Sequence, residues 1–199
     1  MEESRTEKLA IQELVSNWVI WRDMGDWERL STIWHPEGRL TATWLQAPYA
    51  EFIEASRKGF ANGVRILHLL GGTAVDVRGN FAVSQTKVTI TQRAFVDEHL
   101  CDVSCLARHY DFWEKRDSKW GLVLRESIYD KDRIDPVEPG ATLRLDRSLL
   151  QRFPENYCHL AYVQTKVGYV VHPAMPCSTG PEVEALYARG AAWLEKGSL

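Results

Sequence analysis

The spacing of apolar residues predicts helices in the first third of the chain. Over residues 5–22, apolar side chains recur every three or four positions, as on one face of an α-helix. A glycine interrupts this pattern, and Asp26 is then placed to cap a second short helix over residues 27–34. The letters "HPEG" predict a turn followed by a short strand. A third helix is predicted over residues 48–60, with a proline in its first turn.

Beyond residue 64 the pattern changes to that of long β-strands. Residues 64–97 contain two β-rich runs joined at "RGN", and residues 99–132 contain two more joined at "RDSKW", which predicts two hairpins. In the third run, alternation predicts one face with Leu106, Arg108, Tyr110 and Phe112 and another with Ala107, His109, Asp111 and Trp113. His109 and Tyr110 are therefore expected on opposite faces, so that only one of them reaches a cavity.

Helices followed by long strands indicate an α+β protein. We predict a cone-shaped α+β barrel domain over residues 1–135, in which a curved antiparallel sheet packs on the N-terminal helices. Residues 136–199 are punctuated by proline and glycine and contain two more helical patterns, at 152–167 and 181–197. Their aromatic residues predict that this C-terminal extension packs on the same domain or on a neighbouring subunit.

Composition narrows the classes of partner. The 199 residues are 45% hydrophobic and 26% charged, with a formal net charge of −3. This balance gives no electrostatic reason to expect nucleic acid or an anionic membrane as a partner. No apolar run is long enough to cross a bilayer, and the first residues do not form a secretory signal. We therefore expect a cytoplasmic protein whose four cysteines are reduced thiols.

Tryptophans are concentrated near the N-terminus. Of eight in the chain, five lie between Trp18 and Trp44. So dense a cluster indicates a large aromatic core or, less often, an aromatic-lined ligand cavity. Asp23 lies within this cluster, in "WRDMGDWERL", on or near the helix face that should be apolar.

Three stretches carry a resemblance to a known superfamily. They are "IQELVSNWVIWRDMGDWERLSTIWHPEG", "HLLGGTAVDV" and "HYDFWEKRDSKWGLVLRESIYDKD". Over roughly residues 8–135 the chain resembles the SnoaL-like, nuclear-transport-factor-2-like superfamily, and within it the scytalone dehydratases, bile-acid 7α-dehydratases and hexachlorocyclohexane dehydrochlorinases. The resemblance implies that Asp23 and His68 form a catalytic pair and that Arg125 lies at the substrate pocket.

An Asp–His pair has a clear chemical use in an elimination reaction. The reaction needs a base for a proton and an acid for the leaving group, and a neutral imidazole has a suitable pKa near physiological pH. A buried carboxylate that accepts from one ring nitrogen orients the other nitrogen as the base and stabilises the imidazolium. Arg125 is expected to anchor an oxygen or stabilise a developing anion, unless it pairs with neighbouring acids as a sheet-surface charge.

Further substrate-binding candidates come from the aromatic and polar residues near the expected cavity. Tyr49, His109 and Tyr110 are candidates for a proton donor to a departing oxygen, and Trp21 and Trp44 for cavity walls. The sequence contains no GxGxxG, P-loop or HExxH pattern, so we expect neither a cofactor nor a metal.

These features lead to one functional expectation and two alternatives. We expect a cofactor-independent lyase that performs dehydratase-type elimination, or retro-aldol deformylation, on a hydroxylated aromatic, polyketide or steroid-like small molecule. One alternative is an isomerase or cyclase of ketosteroid or polyketide type, in which an aspartate is the base. The other is a non-catalytic module that binds a small hydrophobic ligand. The resemblance also implies a homo-oligomer, a trimer or a dimer.

Overall fold

The structure, a computed structural model, describes residues 2–96 and 98–197. In chain order these residues form α1 (Glu2–Met24), α2 (Trp27–Ser31), β1 (Trp34–Ala42), β2 (Leu45–Pro48), α3 (Tyr49–Ala61), β3 (Ile66–Arg78), β4 (Phe81–Val96), β5 (His99–Arg116), β6 (Lys119–Pro136), α4 (Arg147–Leu150), α5 (Cys158–Lys166) and α6 (Pro181–Lys196). The predicted α+β class is confirmed, as are the two hairpin turns between β3 and β4 and between β5 and β6.

The short second helix is capped as predicted. The Asp26 carboxylate accepts a hydrogen bond from the backbone N–H of Arg29 at 3.2 Å. The helix ends earlier than the sequence indicates, because β1 already begins at Trp34.

The turn predicted at "HPEG" is instead an irregularity inside β1. Pairing of β1 with β6 shifts register between Trp34 and Arg39. At Gly38 an added Cβ would lie 2.9 Å from the carbonyl oxygens of His35 and Leu122. The strand therefore passes this point only because residue 38 has no side chain.

The sheet is curved and open, and its described strands lie in the order β2-β1-β6-β5-β4-β3. Strands β3 to β6 are antiparallel, as predicted, whereas β1 runs parallel to β6. The expectation of a wholly antiparallel sheet is therefore wrong at this pair. A parallel pair needs a long connection, and here everything from β2 to β5 lies between the two partners.

Helix α1 packs along β3, which is an edge strand of the sheet. Several of its side chains bond to backbone groups of that strand. Gln12 Nε2 donates to the carbonyl of Thr73 at 3.1 Å, and Arg22 Nη1 donates to the carbonyl of Ile66 at 3.1 Å. The helix is thus fixed to the strand at both ends of their contact.

The two faces of β5 are covered by different helices, which confirms the predicted alternation. His109 lies against Trp18 of α1, with ring centroids 5.7 Å apart. Tyr110 and Phe112 lie on the opposite face, in an apolar cluster with Trp193 of α6. A cavity under α1 is therefore accessible to His109 and not to Tyr110.

The C-terminal extension packs on the same chain. Helix α5 contacts β5 and β6, and α6 contacts β3 and β4. Tyr157 and Tyr162 are fully buried in the cluster under α5. Among the helices of the described residues, none is both long and apolar enough to cross a membrane.

Candidate active site

Asp23 and His68 make a two-point contact between α1 and β3. His68 Nδ1 lies 2.8 Å from Asp23 Oδ1, and the backbone N–H of His68 donates to Asp23 Oδ2 at 2.6 Å. Both side chains are largely buried, with 7% of His68 and 13% of Asp23 exposed. Because the carboxylate accepts from Nδ1, the lone pair of the ring is on Nε2. This is the geometry expected of an oriented general base.

The surroundings of His68 keep its imidazole neutral. Burial lowers the pKa of His68 below its ordinary value, and the positive charges of Arg22 and Arg125 lower it further, while the Asp23 carboxylate opposes these effects. Because the pKa is lowered, the ring is unprotonated at neutral pH and can accept a proton.

His68 lines a small inner cavity of about 50 Å³. The other lining residues are Trp18, Arg22, Leu40, Ala42, Thr43, Trp44, Phe52, Ile66, Ile90, Gln92, His109, Ser127, Tyr129, Leu160 and Gln164. On a comparable measure one water needs roughly 10–15 Å³, so the inner cavity admits a group of only a few atoms.

A larger space, which we call the vestibule, adjoins the inner cavity and has a volume of about 420 Å³. Its walls include Phe60, Val64 and Tyr169. The residues that line both spaces form what we call the neck: Arg22, Trp44, Ile66, Gln92 and Gln164. The neck residues therefore form the boundary between the vestibule and the space beside His68.

His109 is a second buried imidazole in the inner cavity. Its ring centroid lies 6.2 Å from that of His68, and its Nδ1 lies 3.3 Å from Ser127 Oγ. Nε2 of His109 is buried and has no hydrogen-bond partner among the described residues. Burial lowers the pKa of His109 well below its ordinary value, with further lowering by Arg125 and His68. His109 is thus a neutral group with one ring nitrogen unused by the protein.

Arg125 lines neither of these two spaces and pairs with an acid on the neighbouring strand, which is the alternative that the sequence left open. Its Nε and Nη2 each donate to the Asp111 carboxylate at 2.7 Å, and its guanidinium lies 4.2 Å from the Trp18 ring centroid. Both members of the pair are fully buried, because they lie directly opposite each other on the covered face of β5 and β6. Arg125 acts on the site through its charge rather than through contact.

Three more predicted substrate-binding residues lie away from the cavity. Tyr49 stacks on Trp34, with ring centroids 5.7 Å apart. The guanidinium carbon of Arg29 lies over the indole of Trp21, 5.5 Å from the centroid of that ring. Tyr110 faces α6, where burial raises its pKa to about 12. Of the predicted substrate-binding residues, only His109 and Trp44 line the inner cavity.

Several lining residues were missed from the sequence. Ser127 and Tyr129 follow Arg125 at two-residue spacing on β6, so the alternation of that strand could have placed them on its buried face. Gln92 and Gln164 carry no comparable signal, because an isolated glutamine in an amphipathic element is most often a surface residue.

A second group of potential ligand atoms lies outside the cavity. Donor atoms of Asp132, Cys158 and His159 lie within 4.8 Å of one another, a set that could hold a divalent cation. In the structure, Asp132 Oδ1 bonds to His159 Nδ1 at 2.8 Å and Oδ2 accepts from the backbone N–H of Leu160 at 2.7 Å. These contacts anchor the start of α5 to β6.

The open α+β sheet, with a polar pair at one end of an aromatic cavity, defines a protein of the nuclear-transport-factor-2-like class. Residues 3–126 match the model of the SnoaL-like domain. The chain belongs to this SnoaL-like family. The resemblance inferred from its motifs is confirmed.

Two curated relatives come from the fungus Fusarium vanettenii. A PEP2-like protein is 36% identical over 200 residues, which cover 95% of this chain and 86% of the relative. Pea pathogenicity protein 2 is 36% identical over 174 residues, which cover 85% of this chain and 75% of the relative.

Solved structures with the same fold include proteins named as a dehydratase and a dehydrochlorinase. A putative scytalone dehydratase from Novosphingobium aromaticivorans superposes with a TM-score of 0.56 at 16% identity, covering 74% of this chain and 99% of that one. A hexachlorocyclohexane dehydrochlorinase from Novosphingobium barchaimii superposes with a TM-score of 0.56 at 15% identity, covering 73% and 100%. At these identities the likeness shows the fold alone.

Proposed function

We propose that the protein is a cofactor-independent lyase that eliminates a small group, such as water, from a hydroxylated substrate with an aromatic body. The observation that carries the proposal is the two-point contact between Asp23 and His68 beside the inner cavity. That the fold neighbours include proteins named dehydratase and dehydrochlorinase agrees with this class of reaction.

His68 acts first as base and then as acid. Its Nε2 removes a proton from the carbon next to a carbonyl group, and the electron pair of that C–H bond moves toward the carbonyl oxygen. The electrons then return to form a C=C bond as the hydroxyl on the neighbouring carbon leaves. The imidazolium of His68 gives its proton to this hydroxyl, so the products are an unsaturated carbonyl compound and water. Asp23 holds the ring in place and stabilises its charged form.

His109 supports the charge that develops on the carbonyl oxygen. When its Nδ1 accepts from the Ser127 hydroxyl, its Nε2 carries a proton, and the structure leaves that atom without a protein partner. A fixed donor in a largely apolar cavity stabilises an enolate more strongly than water does.

The sizes of the two spaces suit a substrate that consists of an aromatic body and a small reacting end. The vestibule, at about 420 Å³, accepts an aromatic body, whereas the inner cavity, at about 50 Å³, accepts only a small reacting end. Trp44 lines both spaces and provides a continuous aromatic wall from one to the other.

The test is turnover of β-hydroxy ketones that carry one aromatic ring, such as 4-hydroxy-4-phenylbutan-2-one. Dehydration is followed by the ultraviolet absorbance of the conjugated enone. We expect replacement of His68 by alanine to reduce turnover to the background rate, because among the described groups on the inner cavity His68 is the imidazole that a carboxylate orients. Circular dichroism and thermal melting check that the variant is folded.

Other outcomes would contradict the proposal in different ways. Retained turnover in a folded His68→Ala protein would remove His68 from the mechanism. A rate profile governed by a carboxylate-like pKa would indicate the isomerase class, with an aspartate as base. Absence of turnover across the panel, together with binding of the same compounds, would indicate a non-catalytic binding module.

A further inference from the structure

Gln164 of α5 has a buried acceptor atom that the protein does not use. Only 6% of the residue is exposed, and its Oε1 has no hydrogen-bond partner among the described residues. A buried amide oxygen without a partner destabilises the protein, because no hydrogen bond offsets the loss of its hydration. A ligand that donates to this oxygen when bound would satisfy it.

The position of Gln164 is at the neck, between the vestibule and the inner cavity. It comes from the C-terminal extension, whereas Arg22 and Gln92, the other polar residues of the neck, come from α1 and β4. Arg22 is already engaged, since its Nη1 donates to the carbonyl of Ile66 and lies 3.6 Å from Asp23. The amide oxygen of Gln164 has no protein contact that a substrate donor at the neck would have to displace.

Gln164 is not needed to hold α5 in place. The first turn of the helix is fixed by the Asp132 carboxylate, which bonds to His159 and to the backbone N–H of Leu160. Its apolar face, including Leu160 and Tyr162, is buried in the cluster against β5 and β6. A structural role therefore does not explain why a glutamine occupies this position.

We infer that Gln164 is a substrate-binding residue that accepts a hydrogen bond from a hydroxyl group located between the aromatic body and the reacting end of the substrate. The inference rests on the proposed function, because it takes the vestibule and the inner cavity to hold one molecule. It narrows the substrate class to aromatic compounds with a hydroxyl at the junction of these two parts.

Two probes of nearly the same shape test the inference through binding alone. The probes are 2-naphthol and 2-methylnaphthalene, which differ in whether a hydroxyl or a methyl group is attached to the same ring system. Equilibrium dialysis gives the dissociation constant of each. We define the hydroxyl preference as the dissociation constant of 2-methylnaphthalene divided by that of 2-naphthol.

Replacing Gln164 with leucine is expected to lower the hydroxyl preference by about 5- to 10-fold, as for one lost hydrogen bond. A ratio within one variant is insensitive to general loosening of the vestibule, which would weaken both probes together. Gln164→Met, whose unbranched side chain keeps the length of glutamine, is the second variant and should lower the preference to the same extent. The matched control is Gln151→Leu, the same change at an exposed position beyond α4, which should leave the preference unchanged.

An unchanged hydroxyl preference in folded Gln164→Leu and Gln164→Met proteins would overturn the inference. Failure of the wild-type protein to bind either probe would also overturn it. The same measurement in His68→Ala separates it from the proposed function. If that variant keeps the preference while the wild-type protein shows no turnover, the hydroxyl site stands and the lyase assignment fails.

Discussion

Among the described residues, two Asp–His pairs, one at the inner cavity and one under α5, are nearly identical in geometry. In Asp23–His68 and in Asp132–His159, Nδ1 lies 2.8 Å from one carboxylate oxygen. In both pairs the other oxygen accepts a backbone N–H, at 2.6 Å in the first and 2.7 Å in the second. Geometry alone therefore does not distinguish a candidate base from an anchor.

The electrostatic surroundings do distinguish the two pairs. The pKa of His68 is lowered by burial and by Arg22 and Arg125. The pKa of His159 is raised by its hydrogen bond to Asp132, with a smaller opposing effect of burial, since 28% of its side chain is exposed. The same contact thus accompanies a lowered imidazole pKa in one place and a raised one in the other, and the difference comes from burial and neighbouring charge.

The largest effect is expected from Asp23→Asn. An amide can still accept from the backbone of His68, but it does not stabilise an imidazolium, so turnover of the β-hydroxy ketones should fall by about 10²–10⁴-fold. Asp26→Asn is the matched control, because asparagine caps a helix as well as aspartate does. Steady-state kinetics of both variants would contradict this expectation if the two losses were equal.

The next effect concerns two arginine–aspartate pairs, again alike in geometry and different in burial. Arg125–Asp111 and Arg93–Asp102 each have two N···O contacts of 2.7 Å. Arg125→Met leaves a buried carboxylate without its cationic partner and should lower the free energy of unfolding by about 3–5 kcal/mol. Arg93→Met is expected to have little effect, since that pair is exposed and solvated.

Urea denaturation of both arginine variants provides the measurement. The m-value should stay the same, so that any change in midpoint reports stability. Equal loss of stability in the two variants would show that burial is not what separates these pairs.

The smallest effect is the pH dependence of stability from the two histidines. Since the folded-state pKa of His159 is raised, its contribution is fully present below the unfolded-state pKa and is lost as pH rises through the folded-state value. The lowered pKa of His68 has the opposite sign, because the unfolded chain then binds more protons, so stability increases with pH up to the unfolded-state value.

Comparison of the wild-type protein with His159→Gln isolates the first of these contributions. Urea denaturation at a series of pH values should show that the stability of the wild-type protein declines on the alkaline side of the ordinary histidine pKa. This decline should be absent from the variant. NMR titration of the ring protons gives the order of the two pKa values directly, and His68 titrating above His159 would contradict the assignment.

Much of the fold and one pair of the site were predictable from the sequence. Features that depend on a few neighbouring residues, such as the Asp26 cap and the hairpin turns, were predicted correctly from local sequence signals. The pairing of Asp23 with His68 came from resemblance, since no local rule brings together two residues so far apart in sequence. The structure places them within hydrogen-bond distance.

The remaining features depend on tertiary contacts that sequence patterns do not encode. Arg125 was expected at a cavity wall, but its register partner on β5 is Asp111, and two opposite charges on a covered face pair with each other. The parallel pairing of β1 with β6 depends on the whole chain between them. Gln164 enters the site because α5 folds back over the sheet, which a helical pattern alone does not indicate.

The contact of α1 with β3 also has a consequence for association between chains. An edge strand presents free backbone groups to which a strand from another molecule can add, and this is a common route to aggregation. In β3 several of these groups are already occupied: the carbonyls of Ile66 and Thr73 by α1 side chains, and the N–H of His68 by Asp23. The carboxylate that orients the candidate base therefore also blocks strand addition, so Asp23→Ala, which removes the acceptor, would expose the protein to self-association as well as to loss of turnover.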